Sequence, residues 1–232
     1  MTILRHTSSD YEADLEELRR RLLKMAGRVD TMISQSVQSL VNRDSDLASE
    51  TIRMDAQVNT DEVELDRLCM ALLACRQPMA SDLRFITITL KMVTDLERIA
   101  DLAVNICERS IQLKPRTVPA PYIDIPQMDA IVRSMLEEAI KAFIERDIQA
   151  ATLLLDRDDE VDELYHKVFR HILELMNEGL DLTDGIALQS VAKVLERMGD
   201  HVTNLAEHVI FMVGGEDVRH EGKLMESQPA EG

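Results

Sequence analysis

Residues 96–108 have the sequence LERIADLAVNICE, and residues 195–207 have the sequence LERMGDHVTNLAE. The two segments lie 99 positions apart and keep a Glu, an Asp, an Asn and a second Glu at matching places. On an α-helix, spacings of about 4, 8 and 11 residues put these side chains within a strip about 80° wide. Each copy therefore predicts a polar, mostly acidic stripe along one helix, and their repetition predicts an internal duplication.

The composition indicates a helical bundle. Hydrophobic residues make up 45% of the 232 residues, aromatic residues only 3%, and there are 13 Met and no Trp. Glycine (8) and proline (6) are scarce. A long chain with an aliphatic core and few breakers is typical of an all-α protein.

The prolines divide the chain near its middle, because four of the six fall between residues 114 and 126. Apolar residues at helical spacing predict three helices before this segment and three after it. We therefore predict two tandem, duplicated three-helix bundles rather than one six-helix bundle with a single core. The predicted bounds are 8–113 for the first bundle, 114–126 for the linker, 127–215 for the second bundle and 216–232 for a mobile tail.

The net charge of −17 argues against nucleic-acid binding, which requires Lys and Arg to neutralise phosphates. The three cysteines include no C-x-x-C pair, so they are expected to be reduced residues rather than zinc ligands. The first ten residues lack an apolar signal segment, and no apolar run approaches the length of a membrane span. We expect a cytoplasmic protein without direct membrane insertion.

The acidic stripes have three possible explanations. They could be solvated helix faces, or they could form ion pairs with Arg residues supplied by other helices. They could also bind divalent or iron-type metal, because the first stripe interrupts an apolar face and oxygen-rich ligand sets suit such ions. A second acidic stripe begins at Asp55, and it is matched 103 positions later from Asp158. The candidate metal ligands are Glu97, Asp101, Glu196, Asp200, Asp158, Asp162 and Asp55, with Asn59, Glu62, Asn105 and Asn204 as additional candidates.

A carboxylate-bridged di-metal oxidase is an alternative. Such ferritin-like enzymes use a Glu-x-x-His pair from each of two helices, and this chain has one candidate, Glu163-x-x-His166, without a counterpart in the first half. His201 and His208 are expected to be surface or capping residues. The sequence contains no phosphate-binding loop and no nucleophile elbow, so no catalytic residue is predicted.

Several motifs together resemble the PhoU family over residues 10 to 222. They are Gln77-Pro78-x-Ala80-Ser81-Asp82-Leu83-Arg84, the two Leu-Glu-Arg segments, Asn42-x-Asp44-Ser45-Asp46-Leu47-Ala48 and Gly215-x-Asp217-x-Arg219-His220. The resemblance implies a non-enzymatic negative regulator of phosphate uptake and of the phosphate-starvation (Pho) response. It also implies contacts with the sensor histidine kinase PhoR and the ABC transporter ATPase PstB.

The resemblance further implies metal clusters on Glu/Asp-x-x-x-Asp motifs and a homodimer. By match, the motifs are Glu97–Asp101, Glu196–Asp200 and Asp158–Asp162, with the imperfect pair Asp55–Asn59. The first half departs from the family pattern, because Ala100 stands where Gly199 stands in the second half. Ala100 and Asn59 therefore predict that the first site is the weaker one. A metal-free helical adaptor remains the other alternative if the stripes are ion-paired.

Overall fold

The computed structural model describes residues 3–113 and 124–215, and that part of the chain is almost entirely helical. The helices are α1 (Ile3–Asn42), α2 (Ser45–Arg76), α3 (Ala80–Gln112), α4 (Asp124–Glu145), α5 (Ile148–Leu155), α6 (Asp158–Asn177) and α7 (Leu182–Gly214).

The same local chemistry begins the second helical segment of each half. Asp44 caps α2 by accepting hydrogen bonds of 3.1 and 2.9 Å from two backbone N–H groups of the first turn. Asp147 caps α5 in the same way, at 2.9 and 3.0 Å. Each Asp follows an Arg with a φ of 55°, Arg43 or Arg146, which turns the chain between helices. These caps satisfy N–H groups that the helix itself leaves unbonded.

Two helices begin earlier than the sequence predicted. Helix α1 begins at Ile3, before the predicted bound at residue 8. Helix α4 begins at Asp124, so residues 124–126 form its first turn instead of the end of a linker. Pro126 is tolerated there because an N–H group in the first turn has no bonding partner within the helix. The rest of the predicted linker, 114–123, and the predicted tail, 216–232, lie outside the described residues.

The predicted fifth helix is divided into α5 and α6 by a turn at Asp156 and Arg157. Arg157 occupies the position that matches Met54, which packs against the core in the uninterrupted helix α2. The Arg157 guanidinium instead binds the Glu138 carboxylate of α4 at 2.6 Å. The position that is apolar in α2 is thus charged in the second half, where the helix is interrupted.

The prediction of two three-helix bundles is confirmed. Helices α1–α3 pack together, and α4 packs with the α5–α6 segment and α7. The expectation that the two halves would not share a single core was wrong, because the buried apolar side chains of both halves form one continuous cluster. Helix α3 packs extensively on α7, and the sequence did not predict this joining.

Helices α3 and α7 run in opposite directions. Arg84, at the start of α3, donates a hydrogen bond of 3.1 Å to the carbonyl oxygen of Met212, at the end of α7. Across the halves, the rings of Phe85 and Phe143 also stack with centroids 5.6 Å apart. Among the described helices, none is sufficiently long and apolar to cross a membrane.

Candidate functional site

The structure brings the predicted acidic residues together in two clusters. The first cluster consists of Asp55, Asn59 and Glu62 of α2 with Glu97 and Asp101 of α3. The second cluster consists of Asp158 and Asp162 of α6 with Glu196 and Asp200 of α7. Within each cluster, carboxylates from one helix raise the pKa of carboxylates on the other. The two stripes of each half therefore face one another, as the sequence predicted.

Asp55 is the most constrained member of the first cluster. Its Oδ2 accepts a hydrogen bond of 2.9 Å from the Asn59 amide, whereas its Oδ1 is buried without a hydrogen-bond partner. Burial raises the pKa of Asp55, and the nearby charge of Asp101 raises it further. One oxygen of the Asp55 carboxylate thus accepts no hydrogen bond, which is unfavourable for a buried acceptor.

The positive charge of Arg98 only weakly neutralises the carboxylates that α3 contributes to this cluster. Its guanidinium lies 3.6 Å from the Glu97 carboxylate and 3.5 Å from that of Asp101. Its side chain is 59% exposed, so this pairing contributes little. The pKa of Glu97 remains raised, first by burial and then by Asp101. An ion-pairing partner was expected from another helix, and this one comes from α3 itself.

The second cluster also contains four carboxylates. Burial raises the pKa of Asp158 to about 6, and Asp200, Asp162 and Glu196 add to this effect. Glu196 contacts Lys193 through one carboxylate oxygen, and its other oxygen, Oε2, is buried without a hydrogen-bond partner. Each cluster therefore contains one buried carboxylate oxygen that has no partner.

The oxygen atoms of both clusters are suitable ligands for a hard cation, but the side chains do not converge on a common point. Carboxylate oxygens are the ligands that Mg²⁺, Ca²⁺ and Mn²⁺ prefer, and a cation would relieve the mutual repulsion. Within residues 3–113 and 124–215, however, no group of three or more His, Cys, Asp or Glu side chains is placed to hold a metal ion. Binding would require these side chains to rotate toward a common point.

Not all of the candidate ligands join the clusters in the same way. Glu62 belongs to the first one, because the charge of Asp101 contributes to its raised pKa. The Asn204 amide instead donates a hydrogen bond of 3.3 Å to the Asp95 carboxylate. Asn105 is exposed on α3, and no hydrogen bond or ion pair among the described residues joins it to either cluster.

The structure does not support the reason offered for a weaker first site. A methyl group added at Gly199 would lie 3.5 Å from the nearest atoms, which belong to Asp158 and Val161. That is an ordinary van der Waals distance, and Ala100 itself is fully buried in the first half. Ala100 therefore does not force the helices of the first half apart, and Asn59 remains the relevant difference.

A third polar cluster, between the two bundles, was not predicted. The carboxylate of Asp95 on α3 contacts His201 Nδ1 at 2.9 Å and His208 Nε2 at 3.0 Å, both on α7. Burial raises the pKa of Asp95, but the hydrogen bonds and charges of His201 and His208 lower it to about 2. The expectation of a surface or capping residue was wrong for His208, which is 7% exposed, whereas the His201 side chain is 23% exposed.

The residues of the Glu-x-x-His motif lie elsewhere. Glu163 and His166 line a groove of about 600 Å³ whose walls come from α4 and α6. The lining includes no carboxylate from α7, so this motif does not complete the second cluster. The geometry therefore offers no support for a ferritin-like di-metal centre.

Comparison with known proteins identifies the family. The family model described as the PhoU domain matches residues 22–110 and again residues 125–209, which correspond to the two bundles. The chain belongs to the PhoU family. The two matched regions also confirm the duplication that the repeated Leu-Glu-Arg segments predicted.

Relatives of this PhoU family chain are similar over nearly their whole length. The phosphate-specific transport system accessory protein PhoU homolog of Pseudomonas aeruginosa is 37% identical over 228 residues, covering 95% of this chain and 92% of that protein. The phosphate-specific transport system accessory protein PhoU of Escherichia coli K12 is 30% identical over 223 residues, with coverages of 96% and 92%.

Solved structures of PhoU family proteins share the fold. The phosphate transport system regulatory protein PhoU from Streptococcus pneumoniae superposes with a TM-score of 0.84 at 26% identity, covering 90% of this chain and 99% of that one. PhoU from Pseudomonas aeruginosa superposes with a TM-score of 0.83 at 36% identity, covering 89% and 100%. The joined pair of three-helix bundles is therefore the architecture of this family.

Proposed function

We propose that this protein is a non-enzymatic, cytoplasmic regulator that restrains phosphate uptake and the phosphate-starvation response when phosphate is plentiful. It acts through contacts with the ATPase subunit of the phosphate ABC transporter, PstB, and with the sensor histidine kinase, PhoR. The observation that carries this proposal is similarity over nearly the whole chain to proteins named as accessory or regulatory components of phosphate transport.

A deletion strain tests the regulatory role. Without the gene, cells grown in abundant phosphate should take up radiolabelled phosphate faster and express starvation-response genes that the parent strain represses. Expression of the wild-type chain should restore both phenotypes. Uptake and expression that stay at the parental level in the deletion strain would overturn the proposed role.

Direct contact is tested separately with purified components. The wild-type chain should bind the transporter ATPase or the cytosolic part of the sensor kinase from the same organism in isothermal titration calorimetry. A deletion phenotype without binding to either protein would retain the regulatory role but overturn the proposed contacts.

We also propose that the carboxylate clusters bind divalent or iron-type metal that has a structural or regulatory role. The support is chemical: each cluster has carboxylates whose pKa values are raised by burial and by like charges, and each has one unpartnered buried oxygen. Glu97, Asp101, Asp55 and Glu62 would hold the metal in the first half. Asp158, Asp162, Glu196 and Asp200 would hold it in the second.

A metal-free adaptor is the second candidate. It is favoured by the lack, among the described residues, of three converging metal-binding side chains. It is also favoured by the pairing of Lys193 with Glu196, which neutralises part of the second cluster without a metal. Elemental analysis of protein purified without chelator distinguishes the two, since the adaptor should contain no stoichiometric metal.

A homodimer is part of the proposal as well. Large apolar side chains remain exposed on α6 and at the start of α7, including Phe169 (41%), Leu173 (45%), Leu182 (62%) and Ile186 (58%). Exposed apolar surface of this kind often marks an interface between proteins. Light scattering at micromolar concentration should give twice the chain mass of 26.3 kDa, and the monomer mass would contradict the dimer.

A further inference from the structure

A groove of about 470 Å³ lies between α1 of the first bundle and α4 of the second. Apolar side chains line it from both helices, among them Leu23 of α1 with Leu136 and Ile140 of α4. The volume is within the usual range for a binding site, and it is large enough for several inserted side chains. Because its walls come from both halves, an occupant of this groove would contact the two bundles together.

The floor of the groove is open at Gly27. A Cβ atom added there would have no heavy atom within 4 Å, so packing inside the chain does not require glycine. Gly27 lies well inside a helix of 40 residues, where glycine is less favourable than alanine. The α4 wall beside it carries another small residue, Ala130. The two small residues leave room that the described chain does not fill.

The rim of the groove is negatively charged. The Arg133 guanidinium makes two hydrogen bonds to Asp30, at 2.8 and 3.0 Å, and it also lies near Asp129 and Glu137. One guanidinium thus faces three carboxylates. Of these carboxylates, Asp30 and Glu137 line the groove, whereas Asp129 does not, and its Oδ1 atom is buried without a hydrogen-bond partner. A cationic side chain placed at this rim would be electrostatically favoured.

We propose that this groove is a docking site for an amphipathic helix of a protein partner in the phosphate transport system. The apolar face of the helix inserts over Gly27, and a Lys or Arg of the same helix lies against the carboxylates at the rim. Recognition of an amphipathic helix by an apolar groove is a common mode of peptide binding. This inference rests on the proposed function, since it assigns a surface to the contacts proposed there.

The decisive variant is Gly27→Leu, which places a large apolar side chain in the groove at a position where the Cβ atom meets no other heavy atom within 4 Å. Its melting temperature should equal or exceed that of the wild type, because leucine favours the helix. The probes are the transporter ATPase and the cytosolic part of the sensor kinase, each titrated by calorimetry. For the probe that binds the wild type, Gly27→Leu should weaken binding at least tenfold.

A charge variant and a matched control complete the experiment. Glu137→Lys should weaken binding severalfold, and the loss should shrink as salt is raised, because the rim charge is exposed. Ala71→Leu adds the same side chain on an exposed face of α2 and should bind like the wild type. Wild-type affinity in Gly27→Leu would overturn the docking site while leaving the proposed function intact. Failure of the wild type to bind either probe would overturn the proposed contacts themselves, and the docking site with them.

Discussion

Asp30 and Arg133 occupy matching positions of the two repeats, 103 residues apart, and they bind each other across the junction of the bundles. The guanidinium Nε and an Nη atom of Arg133 contact the two carboxylate oxygens of Asp30 at 2.8 and 3.0 Å. Equivalent residues that meet in this way lie close to the pseudo-twofold axis of the duplication. With identical repeats, the same side chain would meet itself at this point. Sequence divergence has made the contact complementary by placing opposite charges there.

The asymmetry of the repeats is larger at the α3–α7 contact. The position of Asp95 in the first half corresponds to Val194 in the second, and that of His201 corresponds to Leu102. Both Val194 and Leu102 are buried. One side of the junction is therefore apolar, whereas the matching side contains a carboxylate that accepts hydrogen bonds. Such a buried polar group favours one alignment of the two helices, because any slip would leave it without partners.

Replacement of Asp129 by Asn should stabilise the protein at neutral pH. Burial raises the pKa of Asp129 from 3.8 to about 6 in the folded state. Its stabilising contribution is fully present below the unfolded pKa near 3.8 and is lost as the pH rises through about 6. Asp129→Asn removes this loss, so the free energy of unfolding at pH 7 should rise by about 1–3 kcal/mol.

Urea denaturation from pH 4 to pH 8 measures this effect. The wild type should lose stability between pH 4 and 6 relative to Asp129→Asn. The control Asp30→Asn weakens a half-exposed ion pair instead and should cost about 0–1 kcal/mol at pH 7. A variant Asp129→Asn that is less stable than the wild type at pH 7 would show that the charge is needed by Arg133.

Replacement by alanine should stabilise the protein at Gly27 but not at Gly185. Gly27→Ala adds a methyl group in open space and should stabilise the protein by about 0.5–1 kcal/mol through helix propensity. Gly185→Ala would place its methyl group 2.7 Å from the sulfur and 2.9 Å from Cγ of Met176. The Met176 side chain must then move, which should offset the gain and leave the variant neutral or about 1 kcal/mol less stable.

Thermal unfolding of the two variants provides the comparison, because the substitution is the same and both positions are helical. Equal stabilisation by both alanines would mean that Met176 moves away without cost. A destabilised Gly27→Ala would mean that the groove floor is tighter than the structure describes.

Removal of Asp95 should be costly unless its partner is removed as well. Asp95→Val copies the matching residue Val194 and leaves the buried His208 without its acceptor, so it should destabilise by about 1–3 kcal/mol. The double variant Asp95→Val with His208→Leu replaces both partners by apolar groups and should recover part of that loss. Urea denaturation of the four members of this cycle gives the coupling energy. Strict additivity would show that the Asp95–His208 contact contributes nothing.

The sequence predicted the features that depend on one helix or on the duplication. Asp55, Glu97 and Asp101 were placed together correctly, because helical spacing orders each stripe and the repeat implies the same neighbours twice. The contact of Asp95 with His201 was not predictable in this way, since it joins positions that the repeats do not relate. A useful signal was nevertheless present. Asp95 interrupts an apolar face of α3 that contains Met92 and Ile99, and His201 and His208 share one face of α7.

The sequence also predicted the boundaries of two helical segments wrongly. The turn at Arg157 separates α5 from α6, and the Arg157 guanidinium binds Glu138 of α4. Pro126 was assigned to a linker, although proline is compatible with the first turn of a helix. In both cases the apolar pattern correctly predicted that a helix is present, but it did not predict where the helix begins or is interrupted.

Replacement of Asp200 by Asn distinguishes a metal-binding cluster from a solvated or ion-paired one. In the absence of metal, burial and the charge of Glu196 raise the pKa of Asp200, so its ionised form is unfavourable. Asp200→Asn should then leave stability equal or slightly higher. If the cluster binds metal, the same change removes an anionic ligand, and both the metal content and the melting temperature of the metal-loaded protein should fall.

The metal-bound and metal-free explanations therefore predict opposite changes in melting temperature when Asp200 is replaced by Asn. Comparison of the wild type with Asp200→Asn can distinguish them. With excess Mn²⁺ or Mg²⁺ the wild type should melt at a higher temperature than with EDTA, since ligand at about 100 times Kd adds about 3 kcal/mol. Asp200→Asn should lose most of that increase, whereas in EDTA it should melt at or above the wild-type temperature. The exposed control Glu145→Gln should behave like the wild type in both buffers.

Asp101→Asn extends the test to the first cluster. Asn59 stands where the second cluster has Asp162, and Glu62 restores the number of carboxylates in the first cluster to four. Because an amide is a weaker ligand for a hard cation than a carboxylate, the metal-dependent change should be smaller than for Asp200→Asn. Elemental analysis of all four proteins measures bound metal independently of stability. If neither the wild type nor the variants respond to metal, and Asp101→Asn and Asp200→Asn are both as stable as the wild type, the carboxylates are solvated or ion-paired. The metal-free adaptor would then be the correct description of this PhoU family protein.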